Sequence, residues 1–160
     1  MQAIRVLVLL ACLMVGVPEA WALELTLQGD WIPSAVDATN LQAGAGSPLN
    51  PEYESPTTQG VIDLTGTSGS GDAWRVDVKR TDTSWPAGVS ISVKRWDDGT
   101  GLGSISGGLS YQPVELTERS FFSGTGDRFD IHVQLKTGNF SLQVPPGAYS
   151  TTLTYTVVDL

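Results

Sequence analysis

Apolar residues in this chain recur at every second position. In "LELTLQ", Leu23, Leu25 and Leu27 share one face; "GVIDLTG" offers Ile62 and Leu64. "AWRVDVKR" alternates Trp74, Val76 and Val78 against Arg75, Asp77 and Lys79, and "GVSISVKRW" sets Val89, Ile91 and Val93 against Ser90, Ser92 and Lys94. "GGLSYQPVEL" places Leu109 and Tyr111 on one side. "RFDIHVQLK" alternates Phe129, Ile131, Val133 and Leu135 with Asp130, His132, Gln134 and Lys136. "FSLQV" follows, then "TTLTYTVV" with Leu153, Tyr155 and Val157 on one face. This period predicts strands that are half buried and half wet. The segments between them, such as "GTSGSGD", "DDGTGLG", "SGTGD", "KTGN" and "PPGA", are built from turn-formers. Seven or eight such strands predict an all-β chain folded as a single antiparallel, immunoglobulin-like sandwich.

Two stretches break the pattern. Residues 1–22 carry one basic residue (Arg5), an apolar run from Val6 to Val17, Pro18, and the triplet Ala20-Trp21-Ala22. That is the layout of a signal peptide cut after Ala22. The apolar run falls short of the roughly 20 residues a membrane span needs, which argues against an uncleaved anchor. A lipoprotein cut before Cys12 would leave an unusually short leader. Residues 29–58 contain four prolines and little alternation, and read as a loop or linker. Such a stretch is either a functional tether or a surface loop pinned by Trp31 and Ile32. The expected organisation is therefore a leader (1–22), an N-terminal strand (23–28), a loop (29–58) and a sandwich body (59–160).

Charge and cysteine narrow the function classes. The formal net charge is -8, and cleavage would remove one Arg and one Glu and leave it unchanged. An acidic chain is a poor partner for polyanions, so nucleic acid is not expected. Cys12 is the one cysteine and would leave with the leader, so stability rests on packing and hydrogen bonds, with no disulfide. The expected location is outside the cytoplasm: periplasm, cell surface or extracellular space, with no membrane span once the leader is gone.

Catalytic signals are weak, and an enzyme is not expected. His132 is the only histidine, and Asp130 two residues away could orient its ring, but no nucleophile motif accompanies them. One histidine and no cysteine fall short of a zinc set. Asp97 and Asp98 in "WDDGTG" suit either a calcium loop or a tight hairpin turn. No cofactor is implied. Trp74 alternates with valines and belongs to the core. Trp85 and Trp96 could form an exposed pair that stacks on sugar rings, or be buried against a loop or subunit.

The last segment, "VPPGAYSTTLTYTVVDL", carries the sharper signal. Tyr149 stands after a Gly turn and ahead of a strand, where sandwich tyrosines hydrogen-bond back to the chain. Such a corner usually precedes the penultimate strand, so either this sandwich has a different strand order or one edge of the last strand is left unpaired. "GAYSTTLTYTVVDL" resembles the C-terminal strand of bacterial surface subunits assembled by chaperone–usher systems, the archaic pilins and their spore-coat-U-like relatives. Gly147 stands about where that family keeps a glycine, whereas Asp159 replaces its penultimate tyrosine. The same segment, with Trp74-Arg75-Val76, also resembles WxL-type wall-binding domains, although Tyr155 stands where those have Trp. The first resemblance implies a structural subunit that associates by strand addition. Leu23, Leu25 and Leu27 would be donor pegs, and Gly147, Tyr149, Leu153, Tyr155 and Val157 would form the acceptor edge. Its partners would be further copies, related surface subunits or a periplasmic chaperone. Residues 23–28 equally suit the first strand of their own sheet. The alternative function is a carbohydrate- or wall-binding module, with polysaccharide bound through Trp85 and Trp96.

Overall fold

A computed structural model describes residues 22–160. The leader, its apolar run and Cys12 lie outside the described residues. Within these, two antiparallel sheets pack as a β-sandwich of eleven strands. The first sheet runs β1 (Glu24–Gln28), β3 (Gly60–Thr65), β10 (Arg128–Gly138), β5 (Ser90–Arg95) and β8 (Gln112–Pro113). Two short strands join it on β10: β2 (Tyr53–Glu54) and β6 (Thr100–Gly101). The second sheet is β11 (Thr151–Asp159), β4 (Ala73–Asp82), β9 (Arg119–Thr125) and β7 (Ile105–Gly107).

The strand count exceeds the expected seven or eight because two long strands are broken and because β7 and β9 were not anticipated. β2 and β3 lie end to end along one side of β10, and β5 and β6 along the other. Ser55 spans the first break. Its N–H donates to Leu135 O, its hydroxyl accepts from Leu135 N–H at 2.9 Å, and its carbonyl accepts from Gln134. The central strand thus stays hydrogen-bonded where its neighbour is interrupted, which a buried backbone requires.

The core is the meeting of the inward rows. Ile62, Leu64, Ile91, Val93, Ile131 and Val133 come from the first sheet, and Trp74, Val76, Val78, Phe121 and Phe122 from the second. Trp74 is completely buried and its indole N–H donates to Gly126 O at 2.8 Å, which keeps its polar atom satisfied. Its ring lies across Gly124 on β9, where an added Cβ would come within 2.6 Å of the indole.

Four sequence expectations are corrected. Residues 119–125 form β9, a strand that alternation does not signal because Phe121 and Phe122 are adjacent and both buried. A register shift opposite Val76 and Asp77 lets both rings reach the core. "FSLQV" is turn, with Leu142 exposed, and Leu109 is exposed with only Gln112–Pro113 paired nearby. Phe129 points away from the core, because β10 bulges between Arg128 and Ile131 and Asp130 adopts φ 56°.

The stretch 29–58 is more ordered than a linker. Asp37 caps a 3₁₀ turn at Ala38–Asn40, Leu41 bridges Leu49, and the chain then enters the sheet as β2. Ile32 is 90% exposed and pins nothing.

One side of the sandwich is closed by a crossing of the chain from β7 to β8, and Arg95 fastens it. This guanidinium is buried on β5 and donates through Nε and Nη2 to Gly107 O at 3.1 and 3.0 Å. Nη1 donates to Asp97 O at 2.6 Å and pairs with the Asp98 carboxylate. Gly108 has φ 74°, and a side chain there would crowd Arg95, Phe121 and Phe122. Arg95→Met leaves the Gly107 and Asp97 carbonyls without donors, so urea unfolding should show a loss of about 3 kcal/mol. Asp98→Asn should cost under about 1 kcal/mol, because that carboxylate is mostly in water.

Candidate functional site

The opposite side of the sandwich is open. β1 pairs with β3 alone and β11 with β4 alone, so each sheet presents a free edge there among the described residues. β11 pairs with β4 in unbroken register from Thr151↔Asp82 to Asp159↔Trp74. Its other edge meets no strand among the described residues.

Beside that edge runs a groove of about 420 Å³ between the sheets. The first sheet contributes Leu27, Ile91, Val133 and Leu135, and β11 contributes Leu153 and Tyr155. Trp85 lines it too, and Trp31 to Pro33 stand at its margin. Trp85 is half-buried, with its indole N–H donating to Val89 O at 2.7 Å. Burial pushes the Tyr155 phenol up, so it stays neutral inside this apolar space.

The groove gathers Leu27, Tyr149, Leu153 and Tyr155 from the residues singled out in the sequence. Leu23, Leu25 and Val157 instead pack against the core beyond it. Leu27 remains 40% exposed where it overhangs the space. Tyr149 donates its hydroxyl to Pro145 O, and a Cβ added at Gly147 would rest in ordinary van der Waals contact with its ring, 3.4 Å away. Ser150 fixes the corner to the β4–β5 loop: its carbonyl accepts from Ser84 N–H and its N–H donates to Ser84 Oγ. The strand entrance is therefore held from both directions. Ile91, Val133 and Leu135 were readable in the sequence only as core; Ile91 and Val133 are buried and floor the groove, whereas the partial uncovering of Leu135 depends on which strands end the sheets.

The other candidates are dispersed. Trp85 and Trp96 do not form an exposed pair. Trp85 faces the groove, whereas Trp96, 49% exposed, stands on the outer face of the first sheet. Asp130 does not partner His132; the bulge turns it aside, and its N–H donates to Asp63. The partner is Asp97, whose Oδ2 lies 2.6 Å from His132 Nδ1 and whose Oδ1 accepts from the His132 and Gly99 amides. Among the described residues no three acidic, histidine or cysteine side chains converge as a metal set, and no helix is long and apolar enough to cross a membrane. Comparisons with protein-family models, curated proteins and solved structures gave no match.

Asp97 makes a pH-dependent test of this loop. Burial opposes its charge, but the amide and ring of His132 and the Gly99 N–H outweigh that and hold the carboxyl below the ordinary 3.8. A depressed carboxyl adds stability above its unfolded value and loses it as pH falls through the folded one. Asp97→Asn should therefore unfold at lower urea than the parent at about pH 5, and the gap should close below about pH 4. Because Asp97 is 40% exposed, the gap should stay under about 1 kcal/mol.

Proposed function

We propose that this protein is an exported, non-catalytic structural subunit of a bacterial surface appendage or coat that assembles by β-strand addition. The observation that carries this reading is the unpaired edge of β11 standing over an apolar groove. An extended segment laid there would pair its backbone with β11 and drop alternate side chains between the sheets. An open edge of this length is otherwise a liability that proteins cover or charge. Here the edge strand carries threonines on its outer face and no lysine.

The donor is residues 23–28 of a second copy. In the isolated chain β1 is itself an edge strand held on one side, and its Leu27 is incompletely buried. Residues 29–52, drawn out, span roughly 80 Å, enough to reach a neighbour. Magnitudes favour a donor with apolar pegs. Backbone hydrogen bonds contribute about 1 kcal/mol each, too little against an association cost of roughly 4–15 kcal/mol. Apolar pegs add to it: Leu27, incompletely buried in its own sheet, gains burial there, while Leu23 and Leu25 exchange one apolar contact for another. The leader, the Gly147–Tyr149 corner and the resemblance of the last strand to chaperone–usher subunits support the same reading.

Light scattering tests it. The protein should form oligomers as concentration rises, and a version lacking residues 23–28 should remain a monomer. A synthetic peptide of residues 22–30 should raise the melting temperature of that shortened protein by roughly 5–10 °C at saturation, while its triple Leu→Ser counterpart should not. Equal masses with and without residues 23–28, and no thermal shift, would overturn the proposal.

A further inference from the structure

The outer face of the first sheet, away from the groove, holds a second arrangement that owes nothing to assembly. The chain has three lysines, and two of them meet at one tyrosine. Lys94 Nζ lies 4.6 Å from the centre of the Tyr111 ring and 4.8 Å from that of Trp96. Lys136 Nζ lies 4.6 Å from the same tyrosine ring. The pairing of β5 with β10, Gln134 opposite Lys94 and Lys136 opposite Ser92, puts both lysines on one face. Lys136 has the Glu52 carboxylate at 3.3 Å, whereas Lys94 has no carboxylate within 4 Å among the described residues. The aromatic faces fix where its ammonium stands without neutralising it. The Tyr111 hydroxyl is buried, and burial first, then the nearby Glu54 carboxylate, keeps it protonated. Trp96, half in water, adds a flat apolar surface at the end of this row.

We propose that Trp96, Lys94, Tyr111 and Lys136 form a binding platform for an acidic saccharide, a uronic acid unit whose ring face stacks on the indole while its carboxylate meets Lys94. A fixed, uncompensated ammonium beside an exposed ring selects a ligand that carries an anion and an apolar face on one rigid frame. A free carboxylate or phosphate offers only the anion. A neutral sugar offers only the face. The platform is smaller than a two-tryptophan site, with Tyr111 where a second indole would stand, and it uses charge for selectivity.

Calorimetric titration of the protein with trimers of galacturonate, glucuronate and mannuronate, each beside its methyl ester, tests this directly. At least one acid trimer should bind saturably, and its methyl ester should bind about tenfold more weakly or worse. Lys94→Met and Trp96→Ala should each weaken binding about tenfold or more with the melting temperature kept, and added salt should weaken the parent. Lack of saturable binding by all three acids up to roughly 10 mM would overturn the proposal. So would esters that bind as well as acids, or binding indifferent to both substitutions. None of these results depends on oligomerisation, so the platform and the assembly reading stand or fall separately.

Discussion

The buried guanidinium of Arg95 makes the two sides of this sandwich unequal. Placing a charge in a protein interior costs several kcal/mol unless its donors are taken up. Arg95 meets that demand with the carbonyls of Gly107 and Asp97 and the carboxylate of Asp98. Those groups belong to the β5–β6 connection and to β7 in the opposite sheet, so one residue ties both layers at the side where the chain crosses. Arg128 extends the tie by donating to Asp98 O at 2.7 Å and to Gly101 O. With Gly108 pressed against Phe121 and Phe122, that side has no freedom to part.

Among the described residues the other side has no such fastening. β1 and β11 end their sheets facing one another, and Leu27, Leu135, Leu153 and Tyr155 between them are only partly covered. A sandwich gains most of its stability from closing two apolar faces on each other. The closed edge realises that burial on one side, and the open edge leaves part of it unrealised on the other. An added strand would complete the layer that the chain leaves short. The Tyr149 corner matters because it fixes where β11 begins, and so where an incoming strand would have to pair.

Much of the fold was legible because most strands alternate cleanly. The failures share a physical cause, a local break in that alternation. Phe121 and Phe122 are consecutive, yet a shifted register buries both, so β9 escapes a period-two reading. The bulge before Ile131 turns Phe129 outward and takes Asp130 away from His132. Asp97 reaches His132 across 35 positions of sequence, which only the pairing of β5 and β10 brings together. At the groove, alternation could name Leu153 and Tyr155 as inward but not as uncovered, since exposure of an inner face depends on strand order. The meeting of Lys94 and Lys136 at Tyr111 was equally hidden, because it follows from cross-strand register and not from spacing along any one strand.

Amide hydrogen exchange along β11, compared between dilute and concentrated protein, reaches the central claim most directly. In the dilute monomer, alternate amides of residues 151–159 should exchange at rates near those of loops, while the intervening ones, bonded to β4, stay protected. On concentration the fast set should slow as the free edge acquires a partner strand. Uniform protection of β11 in the monomer, or a fast set unchanged when the protein associates, would contradict an open edge that takes up a strand.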